Sequence, residues 1–270
     1  MKAQAERSGA SFRDPSGFLF TRDGVLYRQV NKAYQQAYEK LMSGGVYHSL
    51  TLQGMLIRHE EVDAPAADPA LAYRVIRPEE VPFISYPYEW SFSQLKDAAL
   101  LTLACARAAL ENGMVLKDAS AYNIQFVNGK PLLIDTLSFD LYQEGAPWDA
   151  YRQFCQHFLA PLALASMVDI RLTQLLRVYL DGIPLDLASV LLPGKTRLGF
   201  SGLAVHLHLH ARAQRQYSDR QAAQAAAVKL SKTALLHILN GLEKTILPLT
   251  WQPRGTEWGA YYSLTNYTDE

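Results

Sequence analysis

Three oxygen-bearing side chains flank two short apolar segments near the middle of the chain: Asp118 and Asn123 precede the first segment, and Asp135 follows the second. The segments are residues 124–127 and 131–134. Between them, Asn128-Gly129 is the strongest short-range signal of a β-hairpin. Because the start of one antiparallel strand lies beside the end of its partner, we expect the three side chains to meet at one end of this hairpin. Oxygen ligands gathered in this way suit a hard cation such as Mg²⁺.

This stretch resembles the catalytic and metal-binding loops of protein kinases and of the aminoglycoside and choline kinases. In those families four residues separate an Asp from an Asn, and a hairpin then leads to a second Asp. Asp118, Asn123 and Asp135 keep that pattern. The sequence departs from it at Leu116-Lys117, where the families have His-Arg or His-Gly, and at Thr136-Leu137, where they have Phe-Gly.

The resemblance implies a role for each residue of the stretch. Asp118 would accept or orient the proton of an attacking hydroxyl. Asn123 and Asp135 would hold Mg²⁺ on the phosphates of ATP, and Lys117 would stabilise charge on the transferred group. The competing interpretation is an ordinary β-turn unit that happens to carry polar residues at its ends.

The first 80 residues predict a small β-rich unit. Residues 17–30 form a hairpin around Asp23-Gly24, and Asn31 caps a helix that runs to about Met42. Two strand-like segments follow, residues 55–62 and 71–77. A hairpin, a helix and then a strand pair is the layout of a kinase-like small lobe.

The same unit lacks two features of that lobe. Gly17 and Gly24 are a poor substitute for a glycine-rich loop, and no lysine lies on the second strand. Arg28 is the nearest cation and could bind phosphate oxygens in a bidentate manner, with Glu39 on the next helix orienting it. The alternative is that the two are solvated charges on a strand edge and a helix face.

An aromatic segment broken by two prolines, residues 82–90, follows the small unit. By the kinase resemblance it is the hinge, where the backbone around Ser85, Tyr86 and Tyr88 would bind adenine between apolar walls. A packed linker without a ligand is the alternative. Ser91 or Ser93 then caps a long helix that Gly113 ends.

The second half of the chain predicts helices. Two apolar segments, residues 148–167 and 169–180, are expected to be helical, with a kink or break at Pro161 and with His157 buried and hydrogen-bonded to backbone. Residues 221–247 also have helical periodicity. His206, His208 and His210 could bind Zn²⁺, but an amphipathic segment beside a polar cleft is the favoured interpretation.

Composition bears on the partners and the cellular compartment that we expect for this protein. The 270 residues contain 26 Lys plus Arg and 26 Asp plus Glu, so charge gives no reason to expect a nucleic acid or an acidic membrane as partner. Cys105 and Cys155 lie in apolar helical surroundings and indicate core thiols in a reducing compartment. With neither a signal peptide nor a long uncharged apolar stretch, we expect a cytosolic protein.

A second, looser resemblance concerns bacterial proteins described as SAM-dependent methyltransferases, in which the methyltransferase domain lies further along the chain. It rests on residues 84–92, 116–126 and 151–158. The aromatic end, residues 251–270, would then be a linker toward such a domain. No Gly-x-Gly nucleotide loop follows a strand, so these residues alone should not transfer methyl groups.

Together these observations predict an α+β, two-lobed, kinase-like fold. The expected small lobe is residues 1–88, and the helical lobe with the catalytic hairpin is residues 89–250. The expected function is Mg-ATP-dependent phosphotransfer to an unidentified hydroxyl-bearing substrate. The alternative is an inactive, pseudokinase-like binding or scaffold module that serves a fused methyltransferase.

Overall fold

A computed structural model describes residues 14–198, 201–212 and 230–252, together with the backbone of residues 6–7. Within these ranges a small antiparallel sheet and its helices form one lobe, and a mainly helical second lobe carries two short strand pairs. The α+β, two-lobed fold predicted from the sequence is confirmed. Residues 253–270, nearly all of the predicted linker, lie outside the described ranges.

The small lobe is built on a five-stranded antiparallel sheet with the strand order β1-β2-β3-β5-β4. Its strands are β1 (Glu6–Arg7), β2 (Gly17–Arg22), β3 (Val25–Asn31), β4 (His59–Glu61) and β5 (Ala72–Pro78). Asp23 and Gly24 between β2 and β3 have φ values of 52° and 78°, as a tight two-residue hairpin turn requires. The predicted hairpin is therefore confirmed.

Helices connect β3 to β4. A 3₁₀ turn, Lys32–Tyr34, leads into α1 (Gln35–Ser43), and a second helix, α2 (Val46–Leu52), was not predicted. The prediction that Asn31 caps the first helix is wrong. Its side chain makes no capping hydrogen bond, because its oxygen accepts from Gln29 Nε2 at 2.8 Å and its amide donates to a backbone carbonyl.

The long helix after the aromatic segment is confirmed as α3 (Phe92–Glu111). Ser91, rather than Ser93, is its cap: the Ser91 hydroxyl accepts the Gln94 N–H, and Gln94 Oε1 accepts the Ser91 N–H. Gly113, with φ of 74°, ends the helix. One stripe of α3 is buried: Leu95, Ala98, Thr102, Ala106 and Leu110.

Two short strand pairs follow α3. The chain forms β6 (Met114–Leu116), β7 (Ile124–Val127), β8 (Lys130–Leu133) and β9 (Phe139–Leu141), with β6 paired to β9 and β7 to β8. Asn128 and Gly129 have positive φ, so the predicted hairpin is confirmed. Leu133 also joins the hairpin to the segment before β4, because it donates to Met55 O at 2.9 Å and accepts from Ile57 N at 2.8 Å.

The rest of the helical lobe packs around the buried rings of Phe154 and Phe158. Its helices are α4 (Tyr151–Phe154), α5 (Ala160–Met167), α6 (Leu175–Val178), α7 (Leu185–Leu191) and α8 (Lys232–Ile246). A π-helical turn, Cys155–Leu159, joins α4 to α5, so the helix continues through Pro161 rather than breaking there. Residues 221–229 of the predicted last helix lie outside the described ranges.

Both cysteines are buried free thiols in this lobe. Burial raises the pKa of each, Cys105 and Cys155, to about 12, so neither is a reactive thiolate at neutral pH. The prediction of core thiols is confirmed. No helix in the described part of the chain combines the length and apolar character that crossing a bilayer requires.

Candidate active site

A cavity of about 940 Å³ lies between the sheet of the small lobe and the hairpin of the helical lobe. Its wall includes Asp118, Asn123 and Asp135, so the structure brings the three predicted residues to one site. Other polar residues of the wall come from both lobes: Asp14, Arg28, Glu79, Glu80, Lys117, Tyr122, Thr136, Ser138 and Gln153.

Local hydrogen bonds position the two aspartates. Asp118 Oδ1 accepts the Ser120 N–H at 2.9 Å, and Asp135 Oδ1 accepts the Leu137 N–H at 2.9 Å. Each carboxylate is thus held by a backbone donor two residues further on, as in Asx turns. None of the described residues hydrogen-bonds Oδ2 of Asp118, which leaves that oxygen open to the cavity.

The hairpin itself positions Asn123. Its carbonyl accepts the Ile134 N–H at 2.8 Å, which places the residue beside the end of the partner strand. The Asn123 Nδ2 donates to Ser138 Oγ at 3.3 Å, so the side-chain oxygen faces away from that contact and has no donor among the described residues. Asn123 can therefore offer a neutral oxygen ligand.

Arg28 extends from β3 to the same end of the hairpin. Its guanidinium lies 2.7 Å from Asp135 Oδ1 and 3.6 Å from Asp14 Oδ2. The residue is only 8% exposed, and its buried Nε has no acceptor. Arg28 is thus a buried cation of the cavity and not a solvated charge on a strand edge.

Glu39 does not orient Arg28. Its carboxylate accepts from the Tyr73 hydroxyl at 2.7 Å and from Gln35 Nε2 at 2.9 Å, on the outer side of α1. The hydrogen bond from Tyr73 is the main cause that lowers the pKa of Glu39. The predicted Arg28–Glu39 pair is therefore replaced by Arg28–Asp135, and Glu39 is a surface residue.

Lys117 lies between the two lobes. Its Nζ donates to Ser16 Oγ at 2.7 Å and sits 4.6 Å from the centre of the Tyr34 ring, a cation–π contact. Burial is the largest cause that raises the pKa of Tyr34 well above its ordinary value. The Lys117 ammonium is therefore held at the cavity wall by a neutral hydroxyl and a neutral ring.

The predicted hinge residues use their backbone groups internally. Gln125, which is 3% exposed, accepts the Ser85 N–H at 2.8 Å and donates to the Ser85 carbonyl at 3.0 Å. In two further hydrogen bonds, Tyr86 N donates to Glu89 Oε2, and Tyr88 O accepts from Gln174 Nε2. The backbone groups of Ser85 thus have partners within the chain, and none of the three residues lines the cavity wall.

Residues just before this linker line the cavity instead. Glu79, Glu80 and Val81 follow the end of β5, and the backbone groups of Glu80 and Val81 make no hydrogen bond to the described residues. Sequence reasoning did not single out these three cavity-lining residues, because the aromatic segment that follows them has the more conspicuous composition. The sequence signal for this part of the cavity wall was the end of the apolar stretch at Arg77-Pro78.

Apolar side chains from both lobes line the remaining cavity wall. They are Leu19, Leu26, Ile57, Ile76, Ile84, Ile134 and Leu137. An apolar slot with a few charged groups in its wall is a common form of binding site for a flat ring that carries a polar tail. Tyr86 and Tyr88 stack on each other outside this slot, with ring centres 5.5 Å apart.

The histidine cluster forms no metal site. Its three histidines lie in a π-helical segment, Ala204–Leu209, and in the helical residues that continue it. His206 contacts the Tyr151 hydroxyl, and His210 packs on the Tyr151 ring. His208 lies between the hydroxyls of Ser189 and Thr196. Burial lowers the pKa of His206 to about 4. Among the described residues no group of three or more His, Cys, Asp or Glu could hold a metal ion.

His157 is buried, as predicted, but its environment differs from the prediction. The side chain is 1% exposed, its ring meets that of Tyr122 edge-on, and its Nδ1 has no hydrogen-bond partner. Burial lowers the pKa of His157 to about 4, so the ring is neutral at physiological pH. The expected hydrogen bond between the His157 ring and the backbone is absent among the described residues.

Comparison with known proteins gives one sequence relative and a loose structural neighbour. The chain is 34% identical over 275 residues to the nodulation protein NoeA of Rhizobium meliloti (strain 1021). That match covers 97% of this chain but only 56% of the relative, so the chain spans little more than half of the relative's length. No family model matches the chain.

The structural neighbour is a solved structure of vaccinia related kinase 3. The overlap covers 92% of this chain and 81% of that chain, with 13% sequence identity and a TM-score of 0.35. An overlap this loose carries no argument about the site. The kinase-like description depends instead on the order of strands and helices and on the residues that line the cavity.

Proposed function

We propose that this chain is a kinase-like domain that binds a nucleoside triphosphate with Mg²⁺ between its lobes and transfers a phosphoryl group to a hydroxyl acceptor. The observation that carries the proposal is the shared cavity. It places two aspartates, an asparagine and two cations, Arg28 and Lys117, around an apolar slot. These are the groups that positioning and charge stabilisation in phosphoryl transfer require.

The apolar slot would hold the base. A ring between Leu26 and Ile134 could pair its polar edge with the free backbone groups of Glu80 and Val81. Ser85, Tyr86 and Tyr88 would then support the hinge from behind rather than contact the base. Lys117 and Arg28 line the same cavity, where they would bind phosphate oxygens.

The charges of the cavity wall favour a metal ion as the companion of a triphosphate. The wall carries five acidic residues and only two cationic ones, so a triphosphate alone would meet net repulsion. The free side-chain oxygen of Asn123 and the carboxylate of Asp135 are the hard ligands that Mg²⁺ prefers. Bound there, Mg²⁺ would supply neutralisation of charge on the phosphates.

Asp118 is the proposed base. Its Oδ1 is held by the Ser120 N–H, and its Oδ2 is open to the cavity, where it can accept the proton of an attacking hydroxyl. That hydrogen bond keeps the carboxylate in one orientation, which is what general-base catalysis requires of it.

A binding or scaffold module that does no chemistry is the second candidate. The Arg28–Asp135 ion pair at 2.7 Å favours it, because a guanidinium already neutralises the carboxylate that would hold the metal. A relative with further sequence beyond the matched region also fits a module that serves a fused domain, such as a methyltransferase.

Thermal unfolding with Mg-ATP, and then ATP turnover, separates the two candidates. We expect Mg-ATP to raise the melting temperature, EDTA to abolish the rise, and Asp118→Asn to keep the rise while losing turnover by about 10²-fold or more. Asp186→Asn, a change outside the cavity wall, is the matched control. A rise without turnover in the wild type favours the module, and equal turnover in Asp118→Asn removes the proposed base.

A further inference from the structure

Gln153 lies on the cavity wall beside the proposed base, and its amide has a fixed orientation. It belongs to α4, and its Oε1 accepts the N–H of Ala119 at 2.7 Å. Ala119 directly follows Asp118 and is 1% exposed. Because only the oxygen of an amide can accept from a backbone N–H, this contact determines which end of the Gln153 side chain faces the loop.

The amino group of Gln153 therefore faces away from the loop. Among the described residues no group accepts a hydrogen bond from Gln153 Nε2, although the residue lines the cavity. The cationic donors of the same wall are already engaged, since Arg28 pairs with Asp135 and Lys117 donates to Ser16. Gln153 thus offers a neutral N–H donor, free of any partner in the chain, next to Asp118.

We propose that Gln153 binds the attacking oxygen of the acceptor. Its Nε2 donates to one lone pair of the acceptor hydroxyl while Asp118 accepts the hydroxyl proton, and another lone pair attacks phosphorus. The O–H bond breaks and its proton passes to the Asp118 carboxylate. An O–P bond forms, and the bond to the nucleoside diphosphate breaks with its electron pair on that leaving group. The inference depends on the proposed phosphotransfer.

This arrangement also limits the chemical class of the acceptor. An alcohol or water oxygen has lone pairs that can accept from Nε2 while its hydrogen is donated to Asp118. A protonated amine has only donors and would face the N–H groups of Gln153 unfavourably. The site therefore suits a neutral hydroxyl as nucleophile in preference to an ammonium group.

Gln153→Glu tests the role, because it keeps an oxygen for the Ala119 N–H and replaces the amino group by an acceptor. Gln94→Glu is the matched control: Gln94 Oε1 also accepts a backbone N–H, from Ser91 at 2.9 Å, but outside the cavity wall. With water as the acceptor, we expect Gln153→Glu to lower kcat for Mg-ATP hydrolysis by about tenfold or more, with the KM for ATP and the Mg-ATP thermal shift unchanged. Gln94→Glu should match the wild type.

The possible results separate this inference from the proposal it depends on. A kcat for Gln153→Glu within twofold of the wild type overturns the role of Gln153 and leaves phosphotransfer intact. A nucleotide-induced thermal shift without any turnover in the wild type also overturns it, because no attack then takes place. No thermal shift in the wild type overturns the proposed function itself, and this inference with it.

Discussion

The two sides of the cavity differ in how their charged groups are held. On the hairpin side, Asp118 and Asp135 are each fixed by a backbone N–H two residues away. On the sheet side, Arg28 is held by Asp14 and Asp135, which are distant in sequence, while Glu39 lies on the outer surface. Short-range contacts thus build one side of the site, and packing between lobes builds the other.

Two of the contacts that join the lobes involve the charged groups of the cavity. The Arg28–Asp135 pair joins the sheet to the end of the hairpin, and Lys117 makes a second contact of the same kind with Ser16. In both contacts the lobes meet through groups that are also proposed to bind phosphate or metal. A ligand in the cavity would therefore compete with contacts that hold the lobes together.

The largest expected effect comes from breaking the ion pair between the lobes. Arg28→Met leaves the Asp135 carboxylate, whose side chain is 18% exposed, without its cationic partner. We expect the free energy of unfolding to fall by about 3 kcal/mol, because removing one partner leaves a largely buried charge uncompensated. Urea denaturation monitored by circular dichroism measures the change.

Arg77→Met is the matched control for that prediction. Arg77 pairs with Glu60 at 2.7 Å, but the two side chains are 50% and 68% exposed. An exposed pair contributes little, so we expect a loss below about 1 kcal/mol. Equal losses in the two variants would show that Arg28 does not join the lobes in solution.

A smaller effect is expected at the linker. Gln125→Leu keeps the volume but leaves the Ser85 N–H and carbonyl without the partner they have in the hairpin. We expect a loss of about 2 kcal/mol in the free energy of unfolding, together with faster amide hydrogen exchange at Ser85. Gln53→Leu, at an exposed glutamine directly after α2, should change stability by less than about 0.5 kcal/mol. Unchanged exchange at Ser85 would contradict the prediction.

Sequence reasoning predicted the features whose signals lie within a few residues. The turns at Asp23-Gly24 and Asn128-Gly129, and the cap at Ser91, are of this kind. The Asn31 cap failed because Gln29, on the preceding strand, takes the side-chain oxygen that a cap would use.

The parts of the site that were missed depend on distant partners. Gln125 is 40 residues from Ser85, and the pairing of the two residues has no local sequence signal. Gln153 is 34 residues from Ala119, and only the folded chain shows that its amide is oriented toward the proposed base. Residue type and spacing therefore predicted the hairpin side of the cavity, while the contacts of Ser85 and Gln153 required the structure.

Glu39→Gln is expected to have the smallest effect and tests the comparison most directly. If Glu39 is a surface residue in all states, the variant should leave the denaturation midpoint and the Mg-ATP thermal shift unchanged, because Gln can still accept from Tyr73. Asp135→Asn, at the proposed metal ligand, is the positive control and should weaken the Mg-dependent shift. Loss of the shift in Glu39→Gln would mean that α1 turns inward when nucleotide binds and that Glu39 then replaces Asp135 as the partner of Arg28. In that case both sides of the cavity would be assembled by the ligand, and the ion pair between the lobes would describe only the empty state.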